Sequence, residues 1–272
     1  MGVRGVIFDV DGTLVRGDEP IAGAGAGLDA VDAAGLRRLL VSNNPTKPPE
    51  AYERRLRRAG FAVDPSEVIT AGTVTRRYLS VNHSDDEIAV VGESGLVELL
   101  RAAGLGVDAL GADGDGSACG PDVLVASVDR AFSYETLRRC LRILDDRTVT
   151  FVGTDPDVVI PAADGDDPGS GAIIDAIANV AGRDPAAILG KPSETAREMA
   201  LERLGLPPEE VLVVGDRLDT DIALGERAGM TTALVRTGIA RASDLDASPI
   251  EPDYVLDSLA GLGSVLDDLS TS

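Results

Sequence analysis

Residues 6–8, 39–41, 88–91, 123–126, 211–214 and 233–235 form short, unbroken apolar runs. Runs without polar alternation suit strands buried on both faces, as in a parallel sheet covered by helices on each side. Stretches with helical patterning lie between them, at 50–59, 95–103, 133–144, 194–204 and 222–228. The third of these opens on Ser133 with Glu135 in the first turn, a helix-start signal. Strand–helix alternation of this kind predicts an α/β fold built on a doubly wound, Rossmann-like parallel sheet. No repeat of solenoid period is visible.

Composition adds a second lobe. The chain has 272 residues, 44% of them hydrophobic, and single cores tend to divide beyond about 250 residues. Aromatic residues make up only 3%, so Val, Leu, Ile and Ala must fill the interior. Gly- and Asp-rich stretches at 111–120 and 164–171 read as solvated turns. No apolar run approaches the roughly 18 residues of a membrane span, and the N-terminus enters a strand-like segment without a signal-peptide core. A soluble, cytoplasmic protein is expected.

Charge narrows the range of partners. With 46 acidic and 25 basic residues the net charge is −21, which argues against nucleic acid or an anionic membrane, since both demand basic surface. The acid is dispersed, and Lys47 and Lys191 are the only lysines. This pattern fits a halophilic protein in a salt-rich cytoplasm, where screening tolerates such a charge. Cys119 and Cys140 are isolated and indicate no disulfide framework. His83, the sole histidine, lies in a polar stretch and reads as an exposed loop residue, which leaves no basis for histidine catalysis.

The candidate chemistry sits at strand ends. The run at 6–8 releases into Asp9-Val10-Asp11-Gly12-Thr13. Two aspartates two apart can both face the crevice beyond a strand end, one attacking phosphorus and the other managing the leaving-group proton. A solvated turn is the bland alternative. A calcium loop fails, because Leu14 and Pro20 stand where Gly and Glu would be required. The run at 39–41 leads into Ser42-Asn43-Asn44, where the Ser42 hydroxyl and the Asn43 N–H can meet a phosphoryl oxygen. Lys191, between Gly190 and Pro192, offers a compact cation for phosphate. The run at 211–214 ends in Gly215-Asp216-Arg217-Leu218-Asp219-Thr220-Asp221. There Asp216 is the natural Mg²⁺ ligand and Asp221 could bind directly or through water; helix capping is the alternative for Asp221 and the reading kept for Asp219.

Taken in order, DxDGT, Ser, Lys and GDxxxTD resemble the haloacid dehalogenase superfamily. The resemblance implies that Asp9 is the nucleophile and Asp11 the general acid, then the base for water. It implies that Ser42 and Lys191 hold phosphate, and that Mg²⁺ sits on Asp9, the carbonyl of Asp11, and Asp216, supported by Asp221. A second acid, Asp11, fits a phosphatase better than a dehalogenase. Further segments, among them Val91-Gly92-Glu93-Ser94-Gly95 and Gly190-Lys191-Pro192-Ser193, resemble the NagD and 4-nitrophenyl phosphatase branch across nearly the whole chain. That branch carries a cap of type C2 after the second motif, which implies a core at 1–71 and 184–272 and a smaller α/β cap at 72–183. Its usual Thr-Asn-Pro-Asp reads Thr154-Asp155-Pro156-Asp157 here, a departure that bears on substrate choice if the loop shapes the cap side of the site.

The expected activity is therefore Mg²⁺-dependent hydrolysis of a small phosphate monoester, such as a sugar phosphate or nucleoside monophosphate, through an aspartyl-phosphate. A phosphotransferase or phosphomutase with the same nucleophile is one alternative. A non-catalytic binder of phosphorylated metabolites is the other. By resemblance alone, a homodimer through the cap is an option.

Overall fold

The computed structural model describes residues 2–110, 120–162, 165–239, 245 and 248–271. Cys119, Asp164 and most of the Gly/Asp stretch at 111–120 lie outside the described residues. The chain divides into two compact units. The first comprises Met1–Ser42, Pro49–Ile69 and Lys191–Ser272, the second Asn43–Pro48 and Thr70–Gly190. The expected cap at 72–183 thus lies within a longer unit that also takes in the residues directly after Ser42.

A six-stranded sheet organises the first unit. Its order is Tyr254–Leu256, Thr231–Val235, Val211–Gly215, Gly5–Phe8, Arg37–Ser42 and Val68–Thr70. The first five run parallel, with Ile7 level with Val213 on one side and Leu39 on the other. Continuous apolar runs are required because both faces are covered. Val6 and Phe8 pack with Leu28 and Val31 of helix Ala24–Ala33 and with Leu262 and Val265 of helix Leu262–Thr271. On the opposite face, a Cβ added at Gly5 would lie 2.6 Å from Leu206 and 3.6 Å from Leu204, the last residue of helix Glu194–Leu204.

The second unit has its own five-stranded parallel sheet, ordered Ala187–Ile188, Thr150–Gly153, Val123–Ala126, Glu87–Val91 and Gly106–Ala109. Ala89, Leu124 and Phe151 pack with Cys140 and Leu144 of helix Tyr134–Leu144 and with Ile173 and Ile177 of helix Ser170–Ala181. Each unit therefore has a core of its own.

Some details differ from expectation. Ser133 does cap its helix, accepting from Thr136 N–H at 3.2 Å. The segment expected to be helical at 222–228 holds only the short helix Ala223–Glu226, which a wide turn, Leu218–Ile222, precedes. His83 is not an exposed loop residue. It ends helix Ala71–Asn82, tilts against Tyr78 at 5.7 Å, and its Nδ1 lies 2.7 Å from Asp86. Among the described residues, no helix is long and apolar enough to cross a membrane.

Candidate active site

Topology marks where a ligand belongs. From the central strand Gly5–Phe8 the chain moves to Arg37–Ser42 on one side and later fills the other side with Val211–Gly215 and Thr231–Val235. The order reverses between Gly5–Phe8 and Val211–Gly215, and ligands of open α/β sheets bind beyond the carboxyl ends at such a point. Asp9 and Asp216 are the first residues past those two strands, and Ser42 is the last residue of the neighbouring one.

Four charged side chains are buried together there. Lys191, only 3% exposed, donates to Asp9 Oδ1 at 2.6 Å and to Asp221 Oδ1 at 2.7 Å. Asp221 Oδ2 accepts the N–H groups of Asp216 and Arg217, both at 3.1 Å. The wide turn makes this reach possible, since the N–H groups of Asp221 and Ile222 both bond to Arg217 O at 3.1 Å. Asp216 Oδ2 accepts from Ile239 N–H at 2.7 Å. Glycine is needed around these carboxylates. A Cβ at Gly238 would lie 1.8 Å from Asp216 Oδ2, one at Gly215 would lie 2.3 Å from Asp221, and Gly12 turns with φ of +99° against Asp216.

The donor set fits a divalent cation. Asp9, Asp216 and Asp221 each bring a carboxylate oxygen within 4.8 Å of the others. Among the described residues, Asp9 Oδ2 and Asp216 Oδ1 are buried and have no hydrogen-bond partner, a costly arrangement unless a cation satisfies them. Burial pushes the Asp9 carboxyl well above its ordinary range; Lys191 pulls the other way, and Asp221 and Asp216 add to the rise. Asp216 is pushed up to about 7, by burial first and Asp221 next. Burial works against the Lys191 ammonium, yet Asp221 and Asp9 more than offset it and hold it above its usual value. One ammonium does not balance three carboxylates, whereas an added divalent cation would.

Asp11 lies apart from this buried cluster. Its side chain is 49% exposed and its Oδ1 accepts from Arg55 Nη2 at 2.7 Å. Ser42 is buried, with its Oγ 2.8 Å from the Tyr52 hydroxyl. Thr13 Oγ1 is buried and has no hydrogen-bond partner among the described residues. Asp219 does not cap a helix; it pairs with Arg217 at 3.1 Å.

The remaining candidates form a separate group in the second unit. Asn43 Nδ2 reaches Asp157 Oδ1 at 3.4 Å. Asp155, 2% exposed, accepts from Thr154 Oγ1 at 2.9 Å and from Asp157 N–H at 3.3 Å. Burial first, then the Asp157 charge, push the Asp155 carboxyl up to about 7. A Cβ at Gly190 would lie 2.7 Å from Asn43 Oδ1 and 2.8 Å from Asp155 Cβ. The Asn43 side chain therefore belongs with the Thr154–Asp157 loop, which its sequence position beside Ser42 did not reveal. Sequence reasoning also missed Tyr52, Arg55 and the Gly238-Ile239 turn. Tyr52 and Arg55 share a helix in which Arg54, Arg57 and Arg58 are exposed, so that the sequence does not mark Arg55 out. A glycine three residues past the strand Thr231–Val235 was a usable signal for the turn.

The chain is similar to known proteins over almost its full length. The family model described as haloacid dehalogenase-like hydrolase matches residues 6–106, and one described as HAD-hydrolase-like matches residues 188–262. Human chronophin is 34% identical over 278 residues, covering 97% of this chain and 94% of chronophin. An acid sugar phosphatase of Staphylococcus aureus is 35% identical, covering 92% of this chain and 93% of that protein. Among solved structures, p-nitrophenyl phosphatase from Archaeoglobus fulgidus matches with a TM-score of 0.86 at 32% identity, over 97% of this chain and 100% of that one. NagD from Escherichia coli K-12 matches with a TM-score of 0.81 at 28% identity, over 96% and 98%.

Proposed function

The chain belongs to the haloacid dehalogenase-like hydrolases, in their NagD-like branch, and on that footing we propose that it hydrolyses a small phosphate monoester through a phosphoryl group carried on Asp9. It is a phosphatase, as its named relatives are. The observation that carries the finer reading is the state of Asp9. One oxygen is held by Lys191, and the other is buried, unpaired and placed just past the central strand.

Each residue has a task in this scheme. An Asp9 oxygen attacks phosphorus, the ester P–O bond breaks, and the departing oxygen takes a proton from Asp11. Water then attacks the same phosphorus, gives its proton to Asp11 and breaks the bond to Asp9, releasing inorganic phosphate. Lys191 opposes the rise that burial imposes on Asp9 and offsets charge on the phosphoryl oxygens. Ser42 meets one of those oxygens. Asp221, with both oxygens engaged, supports Lys191 and the backbone at 216–217. Asp9 and Asp216, with the carbonyl of Asp11, would hold Mg²⁺. When bound, Mg²⁺ would neutralise the carboxylates and polarise the phosphoryl group.

Sugar phosphates and nucleoside monophosphates define the substrate class to test. The test is phosphate release from a panel of monoesters in high salt, with Mg²⁺ and with chelator. We expect Mg²⁺-dependent turnover that Asp9→Asn abolishes while the protein stays folded. Turnover that survives Asp9→Asn, or that ignores chelator, would rule the scheme out.

A further inference from the structure

The helix Pro49–Arg58 reaches the site with two residues one turn apart, and the scheme above assigns neither a role. Tyr52 and Arg55 are at i and i+3, so their side chains share a face. Tyr52 is fully buried beside Leu56, which anchors that face in the core. The neighbouring Arg57 behaves as a surface residue, with its side chain 71% exposed, whereas that of Arg55 is only 11% exposed.

Arg55 is held from several sides. Its guanidinium lies 6.0 Å over the Tyr52 ring. Its Nε donates to Gly17 O at 2.9 Å, Nη2 reaches the same carbonyl, and Asp18 stands 3.5 Å away. Gly17 and Asp18 form the turn between the short strands Val15–Arg16 and Glu19–Pro20. A guanidinium fixed on a carbonyl and a ring can present Nη2 in one place, and there it meets Asp11 Oδ1 at 2.7 Å. The half-exposed Asp11 side chain would otherwise sample several rotamers, each a loss to a step that needs the carboxyl at one position. An oxygen that accepts from Arg55 is not the one that carries a proton, so the pair assigns proton transfer to Asp11 Oδ2. Tyr52 does the parallel task one turn earlier, with its hydroxyl 2.8 Å from Ser42 Oγ.

We propose that Tyr52 and Arg55 are positioning residues for the reaction, Arg55 aiming Asp11 for proton transfer and Tyr52 aiming Ser42 at the phosphoryl group. The proposal rests on the roles given above to Asp9, Asp11 and Ser42. A single helical turn then sets the group that handles the leaving-group proton and one that binds phosphate, so the two are placed together.

Leaving groups separate this role from general loosening. Release of p-nitrophenolate needs little help from a proton donor, whereas release of an alkyl alcohol depends on it, and the later attack of water uses Asp11 for both. In Arg55→Met and Arg55→Lys, rapid-mix kinetics with p-nitrophenyl phosphate should show a nitrophenolate burst at the wild-type rate. The steady state should be slower by about tenfold or more, out of the roughly 10²–10⁴ that acid–base assistance supplies. An alkyl phosphate should lose at least as much and show no burst. Tyr52→Phe should raise KM about fivefold, the worth of one hydrogen bond, and leave kcat within about twofold. Melting temperatures near wild type verify folding. Equal losses in burst and steady state, or no loss in either Arg55 variant, overturn the role of Arg55. An unchanged KM in Tyr52→Phe overturns that of Tyr52. A wild-type protein without turnover, or an active Asp9→Asn, removes the underlying scheme and this proposal with it.

Discussion

Asp155→Asn should stabilise the protein, and by an amount that depends on pH. Asp155 is 2% exposed, and the charge next to it is a second carboxylate, Asp157. Its carboxyl is raised from 3.8 to about 7, by burial first and by Asp157 next. The folded protein therefore keeps the proton to about pH 7, while the unfolded chain releases it near 3.8. Between those values the folded state binds more protons, so wild-type stability falls as pH rises through this window and levels off above it. A shift of about 3 units corresponds to about 4 kcal/mol at most. Local relaxation and the weaker bond that an amide oxygen accepts from Asp157 N–H reduce the gain, and we expect about 2 kcal/mol, or roughly 4–8 °C in Tm. The amide can keep the contacts with Thr154, Ser170 and Asp157 N–H, because the two hydroxyls can reverse their roles from donor to acceptor. Urea unfolding of both proteins at several pH values between about 4.5 and 8 measures the difference. The advantage of Asp155→Asn should be near zero at the acid end and full at the alkaline end. A variant no more stable than wild type at pH 8, or one whose advantage does not vary with pH, would refute the reasoning.

Two other substitutions probe the buried charges. Gly238→Ala places a methyl group 1.8 Å from Asp216 Oδ2 and must turn that carboxylate off the Ile239 N–H; Mg²⁺ affinity, read by calorimetry, should fall about 10- to 100-fold, and an unchanged affinity would show that Asp216 does not hold the ion. Lys191→Met leaves Asp9, Asp216 and Asp221 without their ammonium, which should cost about 3–5 kcal/mol at pH 8 without metal. Because burial already holds Asp9 and Asp216 above their ordinary values, both take up protons as pH falls, and the loss measured by urea unfolding should shrink toward pH 5.

The parallel strands were readable from residues 6–8, 39–41, 88–91, 123–126, 211–214 and 233–235 because burial on both faces removes polar alternation. The short antiparallel pair Val159–Ala162 with Gly165–Pro168 gave no such signal, since five of its eight residues are Gly, Asp or Pro. Helix Ala24–Ala33 was missed for a related reason: its Ala and Gly residues pack closely without marking an apolar stripe. Asp9 and Asp216 were legible as candidates because a charged residue at the end of an apolar run is an unusual juxtaposition, and Lys191 and Asp221 because of their place in the order of the motifs. Arg55 was not, because its meaning depends on the carbonyl of Gly17, and a backbone atom brought near by folding leaves no trace in the pattern of side chains.

The place of the central strand has a consequence for biosynthesis. Gly5–Phe8 is made before the second unit, and Arg37–Ser42 soon covers one of its edges. Its other neighbour, Val211–Gly215, leaves the ribosome only after the whole second unit has been translated. Until then an apolar strand keeps a row of unpaired backbone groups, the kind of edge that recruits other chains. The five-stranded sheet draws all its strands from residues 87–188 and can close while the first sheet still waits. For this chain, the slow and vulnerable interval of maturation is the time spent translating its middle.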